Sequence, residues 1–225
     1  MASDGRDYFV KCLQACPPEQ GASLAIELVV SQAGAMIGAP VCATSLIRIP
    51  PELAGWERRP GQPLEPGLAH ASLAVERVEE VRDGLGWRER DDNPCRHAGV
   101  YALYDWCFGW DEQWLYDIDH DRTLYSHDHG LYLPPGGRGY WTRTGLQAMV
   151  DKAHQLPDPP VGLNADAVRQ VADKLDHIDQ ANLVMVLRSV PSSWPVSDQD
   201  LEDLGWFLQQ RAPAVAARMR ALVED

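Results

Sequence analysis

At 225 residues the chain is long enough for one large domain or two lobes sharing a cleft, and 45% hydrophobic with 24% charged content is ordinary for a soluble globular protein. Twenty basic residues against 33 acidic ones give a net charge of -13, and the basic stretches "WERRP" and "RMRAL" are short and isolated, so nucleic acid is excluded as an expected partner. No apolar run approaches the ~20 residues of a membrane span, and "MASDGRDYF" lacks a basic stretch followed by an apolar one, so a cytoplasmic protein without membrane contact is expected.

In chain order, "DYFVKCLQA" (7–15) mixes aromatic and β-branched residues and reads as a strand, broken by "CPPEQGAS". "SLAIELVVSQAGAMIG" (23–38) carries a helical apolar pattern, with Ser23 as N-cap and Gly38 as the stop. "APVCATSLIRIP" (39–50) returns to strand character, and the proline- and glycine-rich "PPELAGWERRPGQPLEPG" reads as a loop. "LAHASLAVERVEEV" (68–81) fits a strand or a helix equally. "GVYALYDWCFG" (99–109) reads as a buried helix. "WLYDI" and "TLYSHD" form the two strands of a hairpin turning at "DHDR", and "PPGGRGY" is a loop. Helices follow near 143–155, 164–174, 178–189 and 197–222, the last opened by a box-like cap of Ser197 with Asp200. No internal repeat stands out.

The five cysteines, Cys12, Cys16, Cys42, Cys95 and Cys107, sit mostly in apolar segments and read as free thiols of a reducing compartment. Cys12 and Cys16 lack a second pair at zinc-finger spacing. Trp106, Trp110, Trp114, Trp141, Trp194 and Trp206 are expected to pack among the helices.

Chemistry concentrates in three places. Lys11 lies in the first strand, either as an exposed edge residue or a functional one. Glu27 lies inside an apolar helix, where an unpaired carboxylate would be costly to bury. A strand lysine joined to a helix glutamate is one way to place a cation on nucleotide phosphates. The third place is "DEQWLYDIDHDRTLYSHDHG" (111–130), dense in aspartate and histidine. A hairpin brings its ends together, so Asp111 and Asp128 are expected to face one cavity, one orienting a hydroxyl and the other holding Mg²⁺ with hard oxygen ligands. Two other readings weigh the same residues. Asp117, Asp119, Asp121 and Asp128 fall on calcium-loop positions, but Arg122 stands where the sharp turn needs glycine. His120, His127 and His129 with the aspartates would make a hydrolytic metal site, against which an extended strand turns Asp128 away from both flanking histidines.

At these residues the chain resembles the HipA-like kinases, in particular the short stand-alone bacterial group. "YFVKC" is similar to the strand carrying that family's nucleotide lysine. "AIELVVSQAGAMIGAPVCATSLIRI" resembles its glutamate-bearing helix and the following strand. "ALYDWCFGWDEQ" resembles its catalytic helix and loop, "LYSHDHG" its Ile-Asp-His-Gly, and "VLRSVPSSWPVSDQDLEDLGWFLQQR" a C-terminal pattern.

The resemblance covers most of the chain and implies an α+β, protein-kinase-like two-lobed fold. Residues of about 1–82 would form a reduced N-terminal β lobe, and those of about 83–225 a larger helical C-terminal lobe, together a single domain. Carried over, Lys11 and Glu27 would bind ATP, Asp111 would be the catalytic aspartate and Asp128 would bind Mg²⁺. The family's loop has histidine two and asparagine five residues after the aspartate; here those places hold Gln113 and Tyr116, so Gln113 is the expected second metal ligand through its carbonyl. Some seven residues precede the first strand and no Gly-x-Gly-x-x-Gly occurs, so the Gly-rich hairpin over the phosphates is expected to be missing. Two functions follow. One is an ATP-dependent phosphotransferase acting on a hydroxyl of a protein or small-molecule acceptor. The other is an inactive, pseudokinase-like binding or regulatory module with a protein partner.

Overall fold

The structure, a computed structural model, describes residues 2–224. Among the described residues, three small antiparallel sheets and six α-helices make a mixed α+β fold. β1 (Tyr8–Lys11) opens the chain and is followed by two 3-10 turns before α1 (Ser23–Ile37). α1 is apolar around most of its circumference, the signature of a helix enclosed on all sides, and its residues from Ser23 to Ser31 are all buried. Gly38 ends it at φ 81, its N–H donating to the carbonyls of Ala35 and Gly34. Ser23 is the first helical residue and not the cap expected of it; Ala22 occupies the cap position without a side-chain bond.

β2 (Thr44–Ile49) follows, then the short pair β3 (Glu57–Arg59) and β4 (Gln62–Pro63). The ambiguous stretch resolves into two strands, β5 (Gly67–Leu73) and β6 (Val78–Val81), because each finds a sheet partner that local pattern cannot specify. β5 is the centre of the first sheet, between β1 and β2, with Lys11 opposite His70. β6 pairs with the hairpin formed by β7 (Trp114–Asp117) and β8 (Thr123–Ser126).

α2 (Asn93–Trp106) precedes that hairpin and starts six residues earlier than its apolar pattern suggests, with Pro94 in the first turn. Asn93 explains the earlier start: fully buried, its amide donates to the carbonyls of Trp87 and Arg122 and accepts from Leu124 N–H. After the hairpin come α3 (Arg143–Met149), α4 (Ala165–Asp176), α5 (Gln180–Arg188) and α6 (Asp198–Ala221). α3 is shorter than the stretch to 155, and the Ser197–Asp200 capping box is present on α6. Both glycines at the α1–α2 approach are needed for contact: a β-carbon on Gly34 would lie 3.0 Å from Leu103, and one on Gly99 would lie 2.7 Å from Ala39.

A continuous core joins α1, α2, the β7–β8 hairpin and the later helices. The hairpin's outgoing end is tied to the chain between α1 and β2 by main chain alone. Ser126 N donates to Pro40 O (2.7 Å), Cys42 N donates to Ser126 O (3.1 Å), and Val41 and Ser126 form a parallel bridge. Trp106, Trp114, Trp141 and Trp194 are buried in the core as expected. Trp206 is half-buried under the Arg143 guanidinium, 4.2 Å from its ring. Trp110 is a correction: it is 54% exposed and lies outside the core. Among the described residues, no helix is long and apolar enough to cross a membrane.

Candidate functional site

Glu27 carries the arrangement. It is buried at 2% exposure, and both of its oxygens are used. Oε2 accepts from Lys11 Nζ at 2.8 Å, and Oε1 accepts from His129 N at 3.0 Å. The same Lys11 ammonium also donates to Asp128 Oδ1. A strand, a helix and the turn after the hairpin therefore meet at one cation. Burial alone would push the Glu27 carboxyl up, but the Lys11 ammonium and the neighbouring imidazoles outweigh it and hold it down to about 2. Burial likewise works against the Lys11 charge, and the two carboxylates more than reverse it, raising its pKa.

Asp128 sits in the left-handed region (φ 58, ψ 48), a conformation that aspartate tolerates better than most residues. The residues after it turn at once into a 3-10 segment, His129–Leu131. His129 is fully buried. Its Nδ1 shares a hydrogen bond with Ser31 Oγ of α1 (3.1 Å), and its Nε2 shares one with Ser126 Oγ of β8 (2.8 Å). Burial lowers its pKa to about 4, so the imidazole is neutral at pH 7 and bridges helix and hairpin without charge. Burial also lowers the pKa of His70 and His127 beside the same charges.

Gly130 closes the contact between the turn and α1. A β-carbon there would lie 2.6 Å from Ser23 Oγ and 3.3 Å from Glu27 Oε2. Gly130→Ala is expected to destabilise the fold by about 1–3 kcal/mol, because α1 and the turn must separate. Urea unfolding of the variant against the native chain measures it.

Asp111 lies in the partly exposed loop between α2 and β7, five residues past the end of α2. Gln113 Nε2 donates to Asp111 Oδ2 at 3.3 Å, so the amide orients the carboxylate. Trp114 pairs with Ser126 across the hairpin, which puts the Asp111 loop and Asp128 at the same end of it. Tyr116 is fully buried, and its hydroxyl accepts from Gly86 N at 2.8 Å; it is a packing residue.

The acids and imidazole inside the hairpin build the turn itself. Asp117 accepts from Asp119 N (2.9 Å) and pairs with His120 Nδ1 (2.8 Å), Asp119 with Arg77, and Asp121 with Arg90. Among the described residues no group of three or more His, Cys, Asp or Glu stands close enough to hold a metal ion. His120 is tied to the turn while His129 is locked between two serines, too separate in role to share an ion. Ser31 and Ser126 join the site beyond the residues expected from the sequence. A polar residue four positions after Glu27, on the same helix face, was the available signal.

No protein-family model matches the chain, and no curated protein matches it in sequence. Its structure aligns with the crystal structure of a Helicobacter pylori proinflammatory kinase, CtkA, with a TM-score of 0.62 at 12% identity. The alignment covers 100% of this chain and 91% of that one. The chain has a kinase-like fold. On that fold, Lys11, Glu27 and Asp128 come together from β1, α1 and the turn after β8, with Asp111 on the loop at the same end of the hairpin.

Proposed function

We propose that the chain is an ATP-dependent phosphotransferase of the HipA-like kind, acting on a hydroxyl of a protein or small-molecule acceptor. The observation that carries this is the Lys11 ammonium shared between buried Glu27 and half-exposed Asp128. Burying an acid in an apolar helix and pairing it to a strand lysine is a costly device for stability alone, since apolar residues of similar size serve as well. It is a useful one for holding a cation ready for phosphate.

The donor chemistry fits a magnesium nucleotide. Mg²⁺ takes one or two carboxylates together with phosphate oxygens and water. Asp128 supplies a carboxylate that is 39% exposed, and Gln113 offers a carbonyl from the loop of Asp111. Bound, the nucleotide would supply the phosphoryl group and the ion would offset its charge. Lys11 would hold phosphate oxygens, with Glu27 fixing the ammonium. Asp111 would orient the acceptor hydroxyl and accept its proton on a carboxylate oxygen, with Gln113 holding that carboxylate in place.

A second reading, a nucleotide-independent binding module, is favoured by Tyr116. It fills the place of the resembled family's metal-binding asparagine, and its hydroxyl is engaged with Gly86 inside the fold. Thermal unfolding with ATP separates the two. The phosphotransferase is expected to gain about 2.7 kcal/mol at a hundredfold excess over Kd, only with Mg²⁺ or Mn²⁺, and to lose the gain in Asp128→Ala. No gain at millimolar nucleotide favours the binding module. In a phosphate-transfer assay, equal rates for the native chain and Asp111→Ala would remove Asp111 from the mechanism.

A further inference from the structure

Trp110 immediately precedes Asp111 and exposes 54% of its surface, an unusual position for the largest apolar side chain. The ring rests on the main chain of two glycines. A β-carbon on Gly136 would lie 2.6 Å from Cε3 and 3.0 Å from Cζ3 of the six-membered ring, and one on Gly137 would lie 2.6 Å from Cε2 and 2.8 Å from Cδ1. Only glycine allows this seat, and Gly137 also needs the freedom because its φ is +72.

The seat is fixed relative to Asp111 from both sides. Leu133 N donates to Cys107 O (3.0 Å) and Phe108 O (3.2 Å), and Gly137 N donates to Leu131 O (3.0 Å), binding the glycine loop to the loop of Asp111. On the other side Phe108 stacks on His154 with centroids 3.8 Å apart, and His154 Nε2 donates to Gly109 O at 2.5 Å. The indole is therefore rigid on one side and open on the other. Other exposed tryptophans lack this context: Trp87 lies under the Arg122 guanidinium, 4.8 Å from its ring, and Trp56 lies just before β3.

We propose that Trp110 is the acceptor platform of the site, on whose open face the substrate lays a flat aromatic group beside the hydroxyl that Asp111 addresses. The acceptor class is then an alcohol carrying an aromatic ring close to its hydroxyl. This rests on the phosphotransferase reading and narrows it. Held on that seat by one face, the exposed, pre-ordered aromatic ring offers contact area at little entropic cost.

The test uses the full chain labelled with 5-fluorotryptophan, the Trp110 fluorine signal being assigned by its loss in Trp110→Phe. Benzyl alcohol and cyclohexylmethanol are the probes, sharing a primary hydroxyl and differing in ring flatness. The Trp110 signal is expected to move saturably with benzyl alcohol at about fivefold lower half-saturation than with its saturated counterpart, the size of one aromatic contact. The Trp56 and Trp87 signals are expected to stay in place. Gly136→Ala, which keeps the indole and unseats it, is expected to remove the preference. An unmoved Trp110 signal, or an equal response at Trp56, overturns the platform even where magnesium ATP stabilises the chain. A chain that ignores magnesium ATP overturns the phosphotransferase reading, and the acceptor role of Trp110 with it.

Discussion

Lys11→Met is expected to cost about 3 kcal/mol at neutral pH, because it leaves the Glu27 carboxylate buried without its cation. It is also expected to reverse how stability responds to acid. In the native chain the Glu27 pKa is held down to about 2, below its ordinary 4.5. The stabilisation is therefore fully present above the ordinary value and is lost as pH falls through the folded one. Without the ammonium, burial governs and raises that pKa above the ordinary value. The penalty is then full at high pH and disappears as the carboxyl protonates on acidification. Urea midpoints measured between about pH 3 and pH 7 should fall with acid for the native chain and rise for Lys11→Met. Lys11→Met with Glu27→Gln should regain most of the loss, since no fully buried charge is left unpaired and the Asp128 carboxylate, 39% exposed, can be solvated. Parallel pH slopes for the native chain and the single variant would show that Lys11 does not govern Glu27.

Asp105→Asn is expected to be comparably damaging, by about 3 kcal/mol, through a different network. Asp105 is buried at the end of α2 and accepts from Arg211 Nη2 (2.7 Å), from Arg218 Nε and Nη2 (2.7 and 3.0 Å), and from His154 N (3.0 Å). Arg211 is 0% exposed, so its guanidinium has no route to water once the carboxylate is gone. Its other bonds run to carbonyls, those of Asp105, Met149 and Val150, which leaves Asp105 as its countercharge. Arg218 is 21% exposed, so Arg218→Gln should cost much less. Adding Arg211→Met to Asp105→Asn should cost less than the sum of the single changes, as expected for partners in one network. Strict additivity in equilibrium unfolding would show that the two residues act apart.

The sequence carried much of this arrangement where one residue conflicted with its surroundings. Glu27 stood out because an acid in an apolar helix must find a partner, and it found two. Lys11 and Asp128 followed from strand and hairpin patterns that local residues largely determine. What escaped depended on contacts between distant segments. The early start of α2 rests on Asn93 bonding across to Trp87 and Arg122, which no helical periodicity reports. Trp110 was counted with the core aromatics because its seat lies in "PPGGRG", a segment that composition identifies only as a loop. β5 and β6 stayed ambiguous because alternation in "LAHASLAVERVEEV" is weak, and strand identity there is conferred by β1, β2 and β7.

The join between the hairpin and the segment leaving α1 has a consequence for substitution. Pro40, Cys42 and Ser126 are stitched through peptide groups, which every residue other than proline supplies in full. Proline at 40 contributes only its carbonyl, which is all that the bond requires. A join held this way asks little of side-chain identity at Pro40, Val41 and Cys42, so substitutions there can leave the hairpin in register.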